Sequence, residues 1–258
     1  MERRRLVEAS PSMSGHPVNF CRVSELRAEP CLSFGDEGLD SFCEGLCLGR
    51  VILLHGSWKC LATSELLCVR TQLSPHQGGF DSNAIFIDGG NTFDPYLITQ
   101  YAEQISSDRD RVLDRIFVAR AFTCHQLTTL ITQTLPDAIQ RRAKLAVISD
   151  MIELYHDHYQ RSVQSFDLFK IALNSIVSTA RAEKAIILVT SLDERRSDPD
   201  PFLRIAKRRV DMVLRFEEQP YSTRLTLEKH PTRPKESFLI KQPAPRVLEE
   251  FLETTENG

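Results

Sequence analysis

The chain has 258 residues, 41% hydrophobic and 26% charged, which suits one large α/β domain with short extensions and leaves two full domains cramped. Its net charge of -3 excludes nucleic-acid binding through overall charge, so any such binding has to come from a local patch. No apolar run reaches the roughly 18 residues that span a bilayer, and the basic start Met1-Glu2-Arg3-Arg4-Arg5-Leu6 lacks the apolar stretch of a secretion signal.

Residues 1–30 are polar and broken by Pro11, Pro17 and Pro30, as in an irregular N-terminal extension. The core is read as 31–240, with 241–258 as a C-terminal tail. Strands are predicted at Arg50–His55, Ala84–Asp88, Arg115–Arg120, Leu145–Ser149, Ala185–Thr190, Met212–Phe216 and Arg224–Lys229. Helical periodicity fills Ser64–Leu73, Pro95–Ile105, His125–Leu135, Ser165–Arg181 and Pro201–Arg208. Buried runs alternating with helices predict a mostly parallel twisted sheet flanked by helices. The last two strands follow closely across Glu217-Glu218-Gln219-Pro220, the spacing of a C-terminal edge hairpin.

Seven cysteines (Cys21, Cys31, Cys43, Cys47, Cys60, Cys68, Cys124) form an odd set, and the several that sit in apolar runs are read as buried thiols, which suggests a reducing compartment. Cys43 and Cys47 have a ligand-like gap but no second close pair, so zinc is not expected. His156-Asp157-His158 is read as a polar loop rather than a metal site, and no serine sits in a G-x-S-x-G turn.

Gly49–Gly56 reads as a buried strand ending at a glycine turn, and an apolar helix follows. This is the setting of a phosphate-binding loop, but the pattern G-x-x-x-x-G-K-S/T is broken. Counting from Gly56, the second glycine falls at Leu61 and the lysine at Ala62, while Thr63 keeps its type. Lys59 lies inside the loop, where it can approach a phosphate from another angle or sit as a solvated turn lysine. After the strand at Ile186–Thr190 come Arg195, Arg196, Arg204, Lys207, Arg208 and Arg209, interrupted by Asp193, Glu194, Asp198 and Asp200. Such an interval either contacts phosphates or is a solvated charged face.

Five landmarks in order resemble the RecA-type ATPase core in its archaeal and eukaryotic recombinase branch, which includes RadA, RadB and their paralogues. Phe34-Gly35-Asp36-Glu37-Gly38-Leu39-Asp40 is similar to the opening motif of that core. Ala84-Ile85-Phe86-Ile87-Asp88-Gly89-Gly90-Asn91-Thr92-Phe93 is similar to an apolar strand followed by Asp-Thr-Glu-Gly-Thr-Phe. Arg120-Ala121-Phe122 resembles the Arg-Ala-aromatic strand end. Arg209-Val210-Asp211-Met212-Val213-Leu214-Arg215 and Leu227-Glu228-Lys229-His230-Pro231 resemble the late strands.

The resemblance implies a RecA-like core and a nucleotide seat reduced to Lys59, Thr63 and Asp150. Gly90 stands where the family has its water-positioning carboxylate. It also implies that Arg195, Arg196, Arg204, Lys207 and Arg208 belong to a DNA-binding interval, and that Lys229, His230 and Arg233 approach a neighbouring subunit's nucleotide.

The expected protein is therefore a non-catalytic paralogue that assists recombination and repair, with no cofactor of its own. Its expected partners are a RadA-type recombinase or another paralogue and single-stranded DNA. The expected location is intracellular: cytoplasm or nucleoid, or the nucleus in a eukaryote. An active ATPase using Lys59, Thr63 and Asp150 with ATP and magnesium is the alternative reading, and a KaiC-like regulatory scaffold without DNA is a third.

Overall fold

A computed structural model describes residues 30–105, 108–156, 163–192 and 200–241. The expected N-terminal extension and C-terminal tail lie almost wholly outside these residues. The described chain begins with a small antiparallel ladder, β1 (Cys31–Leu32) on β2 (Leu46–Cys47), with α1 (Glu37–Cys43) between them. The Asp36 side chain accepts the Leu39 N–H at 2.8 Å, which caps α1.

The main sheet has eight strands: β3 (Val51–Gly56), β4 (Asn83–Asp88), β5 (Ile116–Arg120), β6 (Ala143–Ser149), β7 (Ile186–Leu192), β8 (Met212–Gln219), β9 (Ser222–Lys229) and β10 (Glu236–Lys241). Their order is β10-β9-β8-β3-β7-β6-β4-β5. From β8 to β5 all pairs are parallel, while β8–β9 and β9–β10 are antiparallel. The expected hairpin joins β8 to β9, and β10 adds a third strand outside it. Sequence reading missed β10, although Phe238 and Ile240 alternate along it and pack on the core.

Strand periodicity sorts the side chains onto two faces. Val51 and Leu53 of β3 pack with Ile187, Val189, Phe169, Ile176 and Phe202, under α5 (Cys124–Thr129), α6 (Leu135–Arg142), α7 (Val163–Glu183) and α8 (Pro201–Arg209). Ile52 and Leu54 pack oppositely with Leu188, Leu67 and Ile98, under α2 (Lys59–Arg70), α3 (Pro95–Ile105) and α4 (Arg109–Asp114). A strand covered on both faces reads as a continuous apolar run, which is why β3, β4, β6 and β7 were legible.

Three expectations are corrected. The helix predicted at His125–Leu135 is instead α5, a π-helical segment Leu130–Thr134, and α6. Pro136 has no N–H to continue the α ladder, and the wider π turn absorbs that loss. Second, the helix predicted from Ser64 begins at Lys59. Third, Cys31 and Cys47 are not thiols. They lie directly opposite across the β1–β2 ladder, with Cα atoms 4.2 Å apart, and form a disulfide. Cys43, Cys60, Cys68 and Cys124 are buried free thiols, as expected.

Candidate functional site

In doubly wound sheets ligands bind beyond the carboxyl ends of the parallel strands, which here is the turn from β3 into α2. Gly56 has φ 113°, and a Cβ there would strike the Phe216 carbonyl. The Ser57 N–H donates to that same carbonyl at 2.9 Å. The Cys60 N–H then donates to the Ser57 carbonyl at 3.0 Å, and the Leu61 and Ala62 N–H groups to the Trp58 carbonyl at 3.0 and 3.1 Å. With no glycine between Ser57 and Thr63, the helix winds through the positions that a phosphate loop leaves open.

Leu61, Ala62 and Thr63 are therefore helical, and Ala62 is buried. Lys59 turns back so that Nζ lies 4.1 Å from the centroid of the half-exposed Trp58 ring, a cation–π contact.

Asp150 is buried at φ 42°, just past β6. Its N–H donates to Thr190 Oγ1 at 2.9 Å and its Oδ1 accepts the Leu192 N–H at 3.1 Å, so the residue ties β6 to β7. Gly90 lies against it: an added Cβ would stand 2.6 Å from Asp150 Cβ and 3.0 Å from Oδ2. A glutamate at position 90 does not fit unless Asp150 moves. Asn91 takes φ 54°, a left-handed conformation that asparagine tolerates.

Sequence reading missed two carboxylates beside this loop. Asp88 is fully buried and holds the Thr92 N–H at 2.9 Å, Arg120 Nε at 3.1 Å and Arg120 Nη2 at 3.0 Å. Glu65 of α2 is buried, accepts the Asp94 N–H at 2.8 Å through Oε1, and leaves Oε2 without a partner. Burial pushes its carboxyl up to about 7, against the Asp94 hydrogen bond and with the help of the nearby Asp94 and Asp88 charges. An unusual glutamate inside an apolar helix was the available signal.

In the basic interval, Arg195 and Arg196 lie outside the described residues. Arg204 and Arg208 are exposed on α8. Lys207 instead reaches Glu228 Oε2 at 2.7 Å, the oxygen that also meets the buried His55 Nε2 at 3.1 Å. Burial works to raise Glu228, but these two partners outweigh it and hold the carboxyl at about 2. Phe202 is no exposed stacking surface: it is buried and stacks on Phe166 with centroids 4.3 Å apart.

His156 pairs with Asp200 at 2.7 Å, while His158 lies outside the described residues. Among the described residues no group of three or more histidines, cysteines or acids is placed to hold a metal ion.

Lys229, His230 and Arg233 do not form one outward cluster. Lys229 Nζ lies 2.5 to 3.3 Å from the carbonyls of Val210, Arg208 and Lys207, closing the end of α8. His230 Nδ1 accepts the Thr232 and Arg233 N–H groups, and Arg233 pairs with Glu44 at 2.9 Å and Glu236 at 3.4 Å. Because β9 runs against β3, this group lies near Arg50 and Asp211, at the far end of the sheet from Gly56.

A family model described as Rad51 matches residues 30–183. The chain is 26% identical over 162 residues to "DNA repair protein RAD51 homolog" of Solanum lycopersicum, an alignment covering 60% of this chain and 47% of that protein. It is 27% identical over the same length and shares to "DNA repair protein RAD51 homolog 1" of Arabidopsis thaliana. With "Meiotic recombination protein DMC1 homolog B" of Oryza sativa subsp. japonica it shares 29% over 143 residues, 55% of this chain and 41% of that one. The chain spans about half the length of the curated relatives it matches. The match covers more than half of the chain and falls on a mostly parallel sheet flanked by helices, and the chain belongs to the Rad51 family as a RecA-type recombinase paralogue.

Proposed function

We propose that this chain is a non-catalytic Rad51-family subunit that assists assembly in homologous recombination and DNA repair. It binds a RadA-type recombinase or another paralogue, together with single-stranded DNA, inside the cell at the nucleoid or in a nucleus. The observation that carries the reading is the occupied backbone at the β3–α2 turn. The residues there do not fit a nucleotide's phosphates: the N–H groups of Cys60, Leu61 and Ala62 are spent inside the turn, and Ala62 supplies no charge. Phosphoryl transfer depends on such donors, on cationic charge and on an oriented nucleophile. Gly90 offers no carboxylate, and Lys59 lies over Trp58. The active-ATPase alternative has to recruit these residues from where they stand.

Support for an assembly role comes from β5. It pairs with β4 and lies at the sheet edge, with Val118 and Arg120 exposed and Phe122 bare just beyond it. An open parallel edge with an apolar anchor suits addition of a partner's strand. The test is phosphate release from ATP with and without single-stranded DNA, beside affinity purification from the native cell. No turnover and a co-purifying recombinase are expected. Turnover comparable to an intact recombinase, abolished by Asp150→Ala, overturns the proposal.

A further inference from the structure

The buried side-chain atoms that find no hydrogen-bond partner among the described residues are Glu65 Oε2, Thr71 Oγ1 and Gln72 Oε1. All lie on α2 or in the two residues that follow it. Buried polar atoms in folded proteins are almost always paired, so a cluster of exceptions marks a weak seam. Glu65 and Gln72 stand two helical turns apart on one face, and that face lies against α3 and α4. Glu65 Oε1 accepts the Asp94 N–H at 2.8 Å, and Gln72 Nε2 donates to the Val112 carbonyl at 3.0 Å.

The cover over this seam is thinly anchored. α3 and α4 bury only Ile98, Ala102 and Val112, whereas α7 buries Phe169, Ala172, Leu173, Ile176 and Ala180. Elements with few buried apolar contacts open locally at a free energy below that of the whole fold. Asp94 links the seam to its cover: its N–H goes to Glu65, and its Oδ1 caps α3 by accepting the Tyr96 and Leu97 N–H groups at 2.9 and 3.2 Å. One bond from Glu65 therefore steadies the first turn of α3.

The groups that face Glu65 do not welcome its charge. Asp94 stands at the start of α3, and Asp88 at the end of β4, where Arg120 pairs with it at 3.0 Å. Tyr101 of α3 and Cys68 of α2 are neutral neighbours whose own ionisation burial and Glu65 both oppose. Burial first, and then the Asp94 and Asp88 charges, resist ionisation of Glu65 in the closed seam, and access to water relieves it.

We propose that α3 is a proton-controlled flap: it stays docked on α2 while Glu65 is protonated and swings off when Glu65 ionises. The hinge is the stretch from Thr92 to Asp94. The Thr92 N–H stays on Asp88 at 2.9 Å, so the loop keeps Gly90 against Asp150 while Asp94 leaves. The undocked helix bares Ile98, Ala102 and the face of α2 that carries Glu65 and Cys68. This device does not depend on whether the chain binds a nucleotide or DNA.

The test is hydrogen–deuterium exchange of the full chain from pH 5 to pH 8, with each rate corrected for the intrinsic pH dependence of amide exchange. A carboxyl that moves from about 7 in the closed seam to its ordinary 4.5 in the open one raises the opening constant about 70-fold over that range. Protection of the α3 amides is expected to fall by about that factor as pH rises, and Glu65→Gln to hold it near its pH 5 level throughout. The α7 amides are expected to be better protected at every pH and to lose protection more steeply in dilute urea, because they open only with the whole fold. Labelling of the buried Cys68 thiol, corrected by its rate in the denatured chain, should follow α3. Circular dichroism checks the variant's fold; should glutamine not fold, the parent's pH dependence and the comparison of α3 with α7 decide. Equal protection and equal urea response in α3 and α7 overturn the flap, since Glu65 then acts on the fold as a whole. So does α3 protection that is flat with pH, or that falls as far in the glutamine variant as in the parent.

Discussion

The Asp200 carboxylate serves two elements at once: Oδ1 accepts the Phe202 and Leu203 N–H groups at the start of α8, and Oδ2 lies 2.7 Å from His156 Nε2. The pair joins the chain just after β6 to the helix that precedes β8, across a cluster of Tyr155, Phe169 and Phe202.

Asp200→Ala removes a helix cap and the His156 contact together, and is expected to cost about 2 kcal/mol. Asp200→Asn keeps an acceptor for the cap and should cost roughly half of that. Urea unfolding measures both. An alanine variant as stable as the parent would show that the pair holds nothing.

Glu65 predicts a pH dependence of stability. Its folded carboxyl titrates at about 7, above the ordinary 4.5 that the unfolded chain restores. Between those values the folded chain binds a proton that the unfolded chain does not. The contribution is therefore fully present below about pH 4.5 and is lost as pH rises through 7, a change of about 2–3 kcal/mol. Glu65→Gln should flatten this slope and leave the protein more stable than the parent at pH 8. Denaturation at pH 5 and pH 8 decides it; an unchanged difference between the two pH values in the variant refutes the shift.

Restoring charge alone should not restore nucleotide binding. Ala62→Lys places a lysine in a helix whose first N–H groups are already bonded, so calorimetry with ATP and magnesium should register nothing. Leu61→Gly with Ala62→Lys loosens the same turn and should bind measurably better. Adding Gly90→Glu should bring no turnover, since its Cβ meets Asp150. Tight ATP binding by the unaltered protein would contradict all three expectations.

The Cys31–Cys47 disulfide closes a loop with a sequence separation of 16. Loop-closure entropy gives such a crosslink about 3 kcal/mol. Cys47→Ser, or reduction, should lower unfolding stability by about that amount, and in the denatured chain Cys31 and Cys47 should alkylate only after reduction. Alkylation of both without reductant would remove the crosslink from this account.

Much of the fold was legible because β3, β4, β6 and β7 are buried on both faces and must be continuous apolar runs, whereas β10, covered on one face, shows only the weaker alternation of Phe238 and Ile240. The missing glycine and lysine at Leu61 and Ala62 were also readable, since a motif is defined by residue types at fixed spacing. The sequence by itself thus determined the layered α/β class and the residue types, Leu61 and Ala62, that follow Gly56 at the spacing of a glycine and a lysine. Tertiary structure alone decided that Lys207 meets Glu228, that Lys229 closes α8, and that Arg204 and Arg208 stay unpaired among the described residues. It also decided that Gly90 lies under Asp150 and that Cys31 faces Cys47. The physical reason is the same in each case: local composition states which charges and thiols exist, but partners distant in sequence, brought together by strand order and register, settle which of them are neutralised and which stay exposed.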